Sequence, residues 1–361
     1  MPGQSVSPSD YAGRGYLSAG EAAQLLGISV AQLHALVRRG DVPAYRAASG
    51  QYRFERAALE PLTRSGAFPG PNTTSTSDSA PREWEVLLGA TRQRVYAADA
   101  RNMRHVPNAS VHLVVTSPPY FDAKMYAPQP REGDLGDIHD LDTWLHEIGK
   151  VWREVYRVLQ PGRKVFINIM NLPIRQNGSF RSLNLVGKTV DLCEAVGFIF
   201  KRDIVWHKTN SVRAHFGTYP YPGGILLNYA HEFILEFEKP APKGYRKYAH
   251  VTPEQREASK LDKDFWLEIK KSDVWLLKPE KSGSRRSHVA PFPYELPYRL
   301  VKAYTFVGET VLDPFLGSGT TLVAARDLAR HGIGYEINPA LAQQAVARLR
   351  QPRSSAVTTA L

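Results

Sequence analysis

Two stretches of this 361-residue chain carry side chains whose types and spacing suit chemistry. The first is Ser117-Pro118-Pro119-Tyr120, which follows directly on the apolar run Val111-His112-Leu113-Val114-Val115-Thr116. That run predicts a strand, and open α/β sheets bind ligands just beyond the carboxyl ends of their strands. Proline has no N–H and fixes φ, so Pro118 and Pro119 stiffen the backbone at this point and offer it carbonyl acceptors without donors. A hydroxyl and a carbonyl held together there can accept both hydrogens of an exocyclic amino group, while Tyr120 offers an aromatic face on which a base can stack. The lone pair of such an amine is delocalised into its ring, and acceptors on its hydrogens draw density back onto nitrogen. The plainer alternative is a rigid corner between strand and loop, because Pro-Pro is common in loops.

The second stretch is Asp313-Pro314-Phe315-Leu316-Gly317-Ser318-Gly319-Thr320, preceded by Val311-Leu312 and followed by a helical run over 321–330 and a predicted strand at 333–335 that ends at Glu336. Strand, glycine turn, helix and strand form a nucleoside-binding pattern: the glycines admit a ligand close to the backbone, and an acid at the end of the next strand suits ribose hydroxyls. Leu322 stands where a dinucleotide fingerprint needs its third glycine, and no Gly-Lys-Ser/Thr follows, so a nucleoside cofactor without a pyrophosphate fits better than a nicotinamide or a P-loop ligand.

The elements that must position these residues follow from periodicity. Strands are predicted at 94–97, 111–116, 164–169, 198–206, 231–237, 310–312 and 333–335, and helical patterns alternate with them, which predicts a doubly wound α/β domain. One helix shows Trp144, Leu145, Ile148, Val151, Trp152, Val155 and Leu159 at helical spacing, with Pro161-Gly162 to close it. Residues 65–82 are turn formers without period and predict a flexible linker. Ahead of them, Ser18 and Glu21 form a capping box for a short helix that ends at Gly27, and Ser29 with Gln32 repeats the device for a second helix that stops at Gly40. A hairpin wing at 44–54 and a closing helix at 56–62 complete the module. The chain then divides into 1–64, a linker at 65–82, a large domain at 83–353 and a tail at 354–361.

From Tyr16 to Leu62 the module resembles the excisionase-type winged helix-turn-helix, in which the second helix enters the DNA major groove. The resemblance implies that Gln32, His34, Arg38 and Arg39, with Arg46 and Arg53 on the wing, touch DNA; a protein-docking module is the alternative. From about Val86 to Leu349, the two chemical motifs together resemble the amino-methyltransferase family of DNA-modifying enzymes, with the Rossmann-like fold that binds S-adenosyl-L-methionine. The catalytic motif precedes the cofactor motif, which matches the permuted beta arrangement of that family. Asp99 in Tyr96-Ala97-Ala98-Asp99, Arg157-Val158-Leu159-Gln160-Pro161-Gly162, Ile204-Val205-Trp206-His207-Lys208-Thr209-Asn210 and His288-Val289-Ala290-Pro291-Phe292-Pro293 with Glu295-Leu296 extend the match in order.

This resemblance implies catalysis at Ser117, Pro118, Pro119 and Tyr120, and a cofactor held by Asp99, Phe292, Leu296, Asp313, Phe315, Gly317, Ser318, Gly319, Thr320 and Glu336. Within the family Ser-Pro-Pro-Tyr is commoner among cytosine-N4 enzymes, so Ser117 favours N4-methylcytosine as the product, with adenine N6 as the runner-up. The target base would be flipped out of double-stranded DNA into the pocket. Target recognition is implied at about 209–286, where Arg213, Arg285 and Arg286 join Lys208 as candidate DNA contacts; residues 243–286 carry 12 Lys plus Arg against 7 Asp plus Glu. A binding-only regulator that keeps the fold is the rival of a different class.

Composition agrees. The formal charge of +11 suits nucleic acid, and 43% hydrophobic with 22% charged residues is a globular balance. One cysteine, Cys193, excludes an internal disulfide and a cysteine-built zinc site, and its helical context lacks the Pro-Cys of cytosine-C5 chemistry; a half-buried apolar role is expected. The eleven histidines do not fall at ligand spacings, so no metal is expected, and His231 with Glu232 reads as structural. Met1-Pro2-Gly3-Gln4 opens no secretory signal and no apolar run spans a membrane, so a cytoplasmic, nucleoid-associated protein is expected. A cognate restriction endonuclease and the oligomeric state, monomer or dimer, stay open.

Overall fold

The computed structural model of the chain describes residues 16–28, 33, 36–37, 41–46, 52–64, 82–121, 133–176, 179–209, 227, 229–279 and 292–351. The chain forms two compact units: Met1–Ala80 with Phe121–Ile148 and Pro173–Leu183, and Pro81–Tyr120 with Gly149–Leu172 and Asn184–Leu361. Among the described residues no helix is long and apolar enough to cross a membrane.

In the first unit, the helix Ala19–Leu26 starts at the expected capping box. The Ser18 hydroxyl accepts from the Glu21 N–H at 3.3 Å, and the Glu21 carboxylate accepts from the Ser18 N–H at 2.8 Å, so two otherwise orphaned donors are satisfied reciprocally. Gly27 ends the helix in the left-handed region at φ 66°. Leu33, Leu36 and Val37 are helical, whereas Ser29 and Gln32 lie outside the described residues. The strand Tyr52–Glu55 pairs antiparallel with Tyr16–Leu17 and with Tyr45–Arg46, and the helix Arg56–Arg64 follows. Leu17, Ala22, Leu26, Leu33, Phe54 and Leu59 form the core of this small fold.

The second unit is built on one large sheet. Its strands are β1 (Arg82–Leu88), β2 (Thr91–Ala97), β3 (Val111–Thr116), β4 (Leu159–Ile169), β5 (Ile199–Lys208), β6 (His231–Glu238), β7 (Val274–Leu277), β8 (Thr310–Asp313) and β9 (His331–Tyr335), in the order β7-β5-β6-β4-β3-β8-β9-β2-β1. The helices are α1 (Leu141–Val158), which belongs to this unit only from Gly149 onward, α2 (Leu185–Val196), α3 (Pro253–Ala258), α4 (Lys263–Lys271), α5 (Glu295–Tyr304), α6 (Thr320–Asp327) and α7 (Pro339–Arg350). Strands β2, β9, β8, β3 and β4 run parallel, while β6 is antiparallel to β4 and β5 to β6. Val111, Leu113, Val114 and Val115 are all buried, as a central parallel strand covered on both faces requires. β3 leads to β4 on one side and β8 leads to β9 on the other, so the strand order reverses between β3 and β8. That is the switch point at which such sheets bind ligands.

Several local expectations need correction. Pro161-Gly162 does not stop α1; that helix ends at Val158, and the pair lies inside β4. Pairing with β3 jumps from Val111↔Leu159 to Leu113↔Lys164, so the two residues form an irregularity where a missing N–H is tolerated. Gly162 sits there at φ 73° and donates to the Lys239 carbonyl at 2.8 Å. Within the segment 209–286, for which the sequence predicts no helix, Pro253–Ala258 and Lys263–Lys271 form α3 and α4, opened by Thr252 and Asp262 as side-chain caps. Cys193 is fully buried on α2, not half-buried, and burial pushes its thiol well above the usual range.

Candidate active site

The carboxyl ends of the parallel strands bring the two chemical motifs together around one buried acid. Asp313, at the end of β8, is 2% exposed. Its Oδ1 accepts from Thr116 Oγ1 at 2.7 Å and from the Phe315 N–H at 3.0 Å, and its Oδ2 accepts from Thr321 Oγ1 at 2.7 Å. Burial pushes this carboxyl up to about 6, against the pull of those three hydrogen bonds. The motif predicts Asp313 on the cofactor. In the structure its three hydrogen bonds go to the last residue of β3, to the glycine turn and to α6, so the acid ties the Ser117 segment to the turn.

The turn itself has one closed and one open glycine. Gly319 is at φ 87°, and a Cβ there would stand 3.0 Å from Ala345 Cβ, so this position brings α6 and α7 close. Gly317 is at φ 53°, and a Cβ there would meet nothing nearer than the Phe315 carbonyl at 4.0 Å. The Gly317 N–H donates to Glu336 Oε2 at 2.9 Å, and the Asn338 N–H donates to Glu336 Oε1 at 2.8 Å. The Glu336 N–H in turn donates to the Tyr96 carbonyl at 3.0 Å, which ties the ends of β9 and β2 together. Asp99, just past β2, keeps a partly exposed carboxylate that Arg101 holds through its N–H at 2.8 Å and through its guanidinium. Ser318 and Thr320 turn their hydroxyls to Arg348, and Phe315 packs edge-on to Trp152. Leu296 is enclosed in the apolar core with Leu300, Val311 and Ala325, and Phe292 is nearly so. For Leu296 the structure therefore assigns core packing in place of an open cofactor wall.

Beyond β3, Ser117 and Tyr120 meet a polar cluster assembled from three strands. Ser117 Oγ donates to Tyr120 Oη at 3.3 Å, and Tyr120 Oη donates to Glu232 Oε2 at 2.7 Å. Asn168 Nδ2, from β4, donates to both Tyr120 Oη at 3.0 Å and Glu232 Oε2 at 2.5 Å, while its buried Oδ1 has no hydrogen-bond partner. Lys208, from the end of β5, pairs with Glu232 Oε1 and lies over the Trp206 ring. From sequence, Lys208 is expected at a DNA phosphate or free in solvent. The ion pair takes it instead because Trp206 faces Glu232 across the β5–β6 register.

Sequence reasoning alone misses Asn168 and Glu232 as site residues. The signal is nevertheless present: an amide in Val165-Phe166-Ile167-Asn168-Ile169 and an acid in His231-Glu232-Phe233-Ile234-Leu235 interrupt apolar strands, and a buried polar group needs a partner. His231 reads as structural, edge-on to Phe233 at 5.0 Å. At the opposite end of the sheet, His112, His250 and Glu309 bring one possible metal-ligand atom each to within 4.8 Å of one another, which sequence spacing does not reveal. The Glu309 carboxylate is already engaged by buried Arg163, by His250 and by the Phe306 N–H, so a metal there would compete with an ion pair. Among the candidate DNA contacts, Arg53 is half-buried and faces Asp142 at 3.6 Å. Gln32, His34, Arg38, Arg39, Arg213, Arg285 and Arg286 lie outside the described residues, as does the Arg46 side chain.

Comparison with known proteins agrees with this geometry. Residues 111–347 match the family described as DNA methylase, and residues 16–65 match the family described as helix-turn-helix domain. The type II methyltransferase M.MjaI of Methanocaldococcus jannaschii is 34% identical over 283 residues, covering 70% of this chain and 89% of the relative. M.MthZI of Methanothermobacter thermautotrophicus is 33% identical, covering 69% and 74%. A protein of Thermus thermophilus described as a DNA modification methylase and solved with S-adenosyl-L-methionine is 38% identical with a TM-score of 0.56, covering 71% of this chain and 92% of that one. The PvuII cytosine-N4-specific methyltransferase shares the fold at 17% identity and a TM-score of 0.53, covering 74% and 89%.

Proposed function

The chain belongs to the DNA methylase family, and we propose that it transfers the methyl group of S-adenosyl-L-methionine to the exocyclic N4 amino group of a cytosine flipped out of double-stranded DNA. The observation that carries this reading is the hydrogen-bond order at Ser117. Its hydroxyl hydrogen is directed to Tyr120, whose own hydrogen goes to the Glu232 carboxylate, an obligate acceptor when ionised. Ser117 is thereby left with its lone pairs as acceptors, the polarity that an amino group with two hydrogens requires. The Pro118 carbonyl is the natural second acceptor, because it follows Ser117 directly at the strand end where ligands bind and proline keeps its C=O as an acceptor. Tyr120, anchored through its hydroxyl, keeps its ring available for stacking on the extruded base.

The residues around the glycine turn fit the cofactor. Gly317 faces open space that a Cβ would enter, and the carboxylates of Glu336 and Asp99 stand at neighbouring strand ends where ribose and adenine donors could reach them. When bound there, S-adenosyl-L-methionine supplies an electrophilic methyl on a sulfonium. The chain's own part is to hold nitrogen and methyl carbon in line and to keep the amine's hydrogens on acceptors. Ser117 in place of an acid supports cytosine over adenine within this family, and the order of the motifs supports the permuted beta arrangement. The helix-turn-helix module and the basic segment at 209–286 are read as the DNA-contacting parts.

The experiment is single-turnover transfer of labelled methyl to duplex DNA by Ser117→Ala and Tyr120→Ala, with cofactor affinity measured in parallel by calorimetry. Loss of transfer by at least about 10²-fold with cofactor affinity retained supports the assignment. Full transfer by either variant contradicts it.

A further inference from the structure

The hydrogen bonds from Ser117 to Tyr120 and from Tyr120 to Glu232 share one donor direction, and that direction has a chemical use. Methylation of an amine forms a bond from nitrogen to carbon and breaks the bond from carbon to sulfur, whose electron pair stays on sulfur. Nitrogen carries a positive charge until it loses a proton. We infer that Ser117, Tyr120 and Glu232 form a relay that moves this proton from the amine to the Glu232 carboxylate; the inference rests on the amino-methylation reading above. The proton of the amine passes to Ser117 Oγ, the Ser117 proton passes to Tyr120 Oη, and the phenol proton passes to Glu232 Oε2. One proton has then moved from nitrogen to the carboxylate, and Ser117 and Tyr120 are restored.

Three observations carry this. The donor order Ser117 to Tyr120 to Glu232 is already that of the transfer, with links of 3.3 and 2.7 Å. The first link is longer than an ordinary hydroxyl bond and has to tighten when the base arrives, as catalytic hydrogen bonds do on substrate binding. Second, the carboxylate is divided by function. Oε1 is taken by Lys208, whose side chain is partly exposed, and Oε2 receives Tyr120. Third, Asn168 donates one Nδ2 to both Tyr120 Oη and Glu232 Oε2. An amide cannot pass the proton on, so Asn168 fixes the angle between phenol and carboxylate without shunting the path. The groups facing the Glu232 carboxylate are thus Lys208 from β5, Tyr120 from the loop after β3 and Asn168 from β4. A buried acid with only a structural task needs no phenol between itself and Ser117.

The test uses the full-length protein with Glu232→Gln and Tyr120→Phe, the second of which keeps the ring and removes the relay's middle oxygen. Affinities for S-adenosyl-L-methionine and for duplex DNA are measured by calorimetry and anisotropy. Single-turnover rates are taken in light and in heavy water. Expected are binding within about twofold of wild type, rates lowered by about 10²-fold, and a solvent isotope effect that Tyr120→Phe abolishes. Wild-type rates and isotope effect in either variant overturn the relay while leaving the reaction standing. Rate losses matched by equal losses of binding also overturn it, since that pattern belongs to a packing role. A wild-type protein that methylates no base overturns the underlying reading and the relay with it.

Discussion

Asp313→Asn removes a charge that the fold holds against its preference, and the size of the effect follows from the site. The folded carboxyl is raised from 3.8 to about 6 by burial. The folded state therefore binds this proton more tightly than the unfolded chain, and stability falls as pH rises through the window between the two values. The group's stabilising contribution is complete below about pH 4 and gone above about pH 6. Each tenfold difference in acidity between the folded and unfolded chain is worth about 1.4 kcal/mol, so the loss is on the order of 3 kcal/mol. Asparagine keeps the shape and an acceptor for Thr116 or Phe315 but does not titrate. Urea unfolding of wild type and variant, at steps from about pH 4 to pH 7, measures the difference directly. The wild type should lose about 3 kcal/mol relative to the variant across the window. A difference that stays flat with pH would refute the burial argument, and a difference of the opposite sign would mean that the three hydrogen bonds outweigh desolvation.

Other substitutions separate holding the fold from holding ligands. Gly317→Ala should raise the dissociation constant for S-adenosyl-L-methionine by tenfold or more in calorimetry, at a stability cost of only about 1–2 kcal/mol for its left-handed backbone, because its Cβ enters open space. Gly319→Ala adds a clash with Ala345 to the same backbone cost, so thermal melting should show the larger drop there. Replacing Arg38 and Arg39 together by alanine should weaken DNA binding across sequences and reduce the slope of log affinity against log salt by about 2; an unchanged slope would mean that the helix-turn-helix docks a protein. Cys193→Ala should keep methyl transfer within about twofold of wild type while losing about 1–2 kcal/mol of packing in denaturation, because the thiol is buried and held neutral. Abolished transfer by that variant would point to thiolate chemistry.

The sequence is most legible where local physics decides structure. The Ser18–Glu21 capping box, the αL stop at Gly27 and the apolar run of β3 each depend on residues close in the chain, and each is found as expected. The glycine turn and the Glu336 strand end are also readable, since few folds place strand, Gly-x-Gly and acid at that spacing. What periodicity cannot supply is partnership across the sheet. Glu232 lies 112 residues from Tyr120, and Asn168 lies 48 from it, so their role emerges only when β3, β4 and β6 are neighbours. The same holds for Asp313. As a residue type at a strand end it suggests ligand contact, and only the approach of Thr116 and Thr321 shows that it also ties β3 to α6. Pro161-Gly162 misleads because a helix stop and a strand irregularity use the same two residues.

The most direct measurement incubates the purified protein with genomic DNA and labelled S-adenosyl-L-methionine, digests the DNA to nucleosides and identifies the labelled species by mass spectrometry. N4-methylcytosine is the predicted product, and it would establish reaction, methyl donor and target together. N6-methyladenine would contradict the assignment of cytosine from Ser117, and the absence of any methylated base would contradict catalysis at this site.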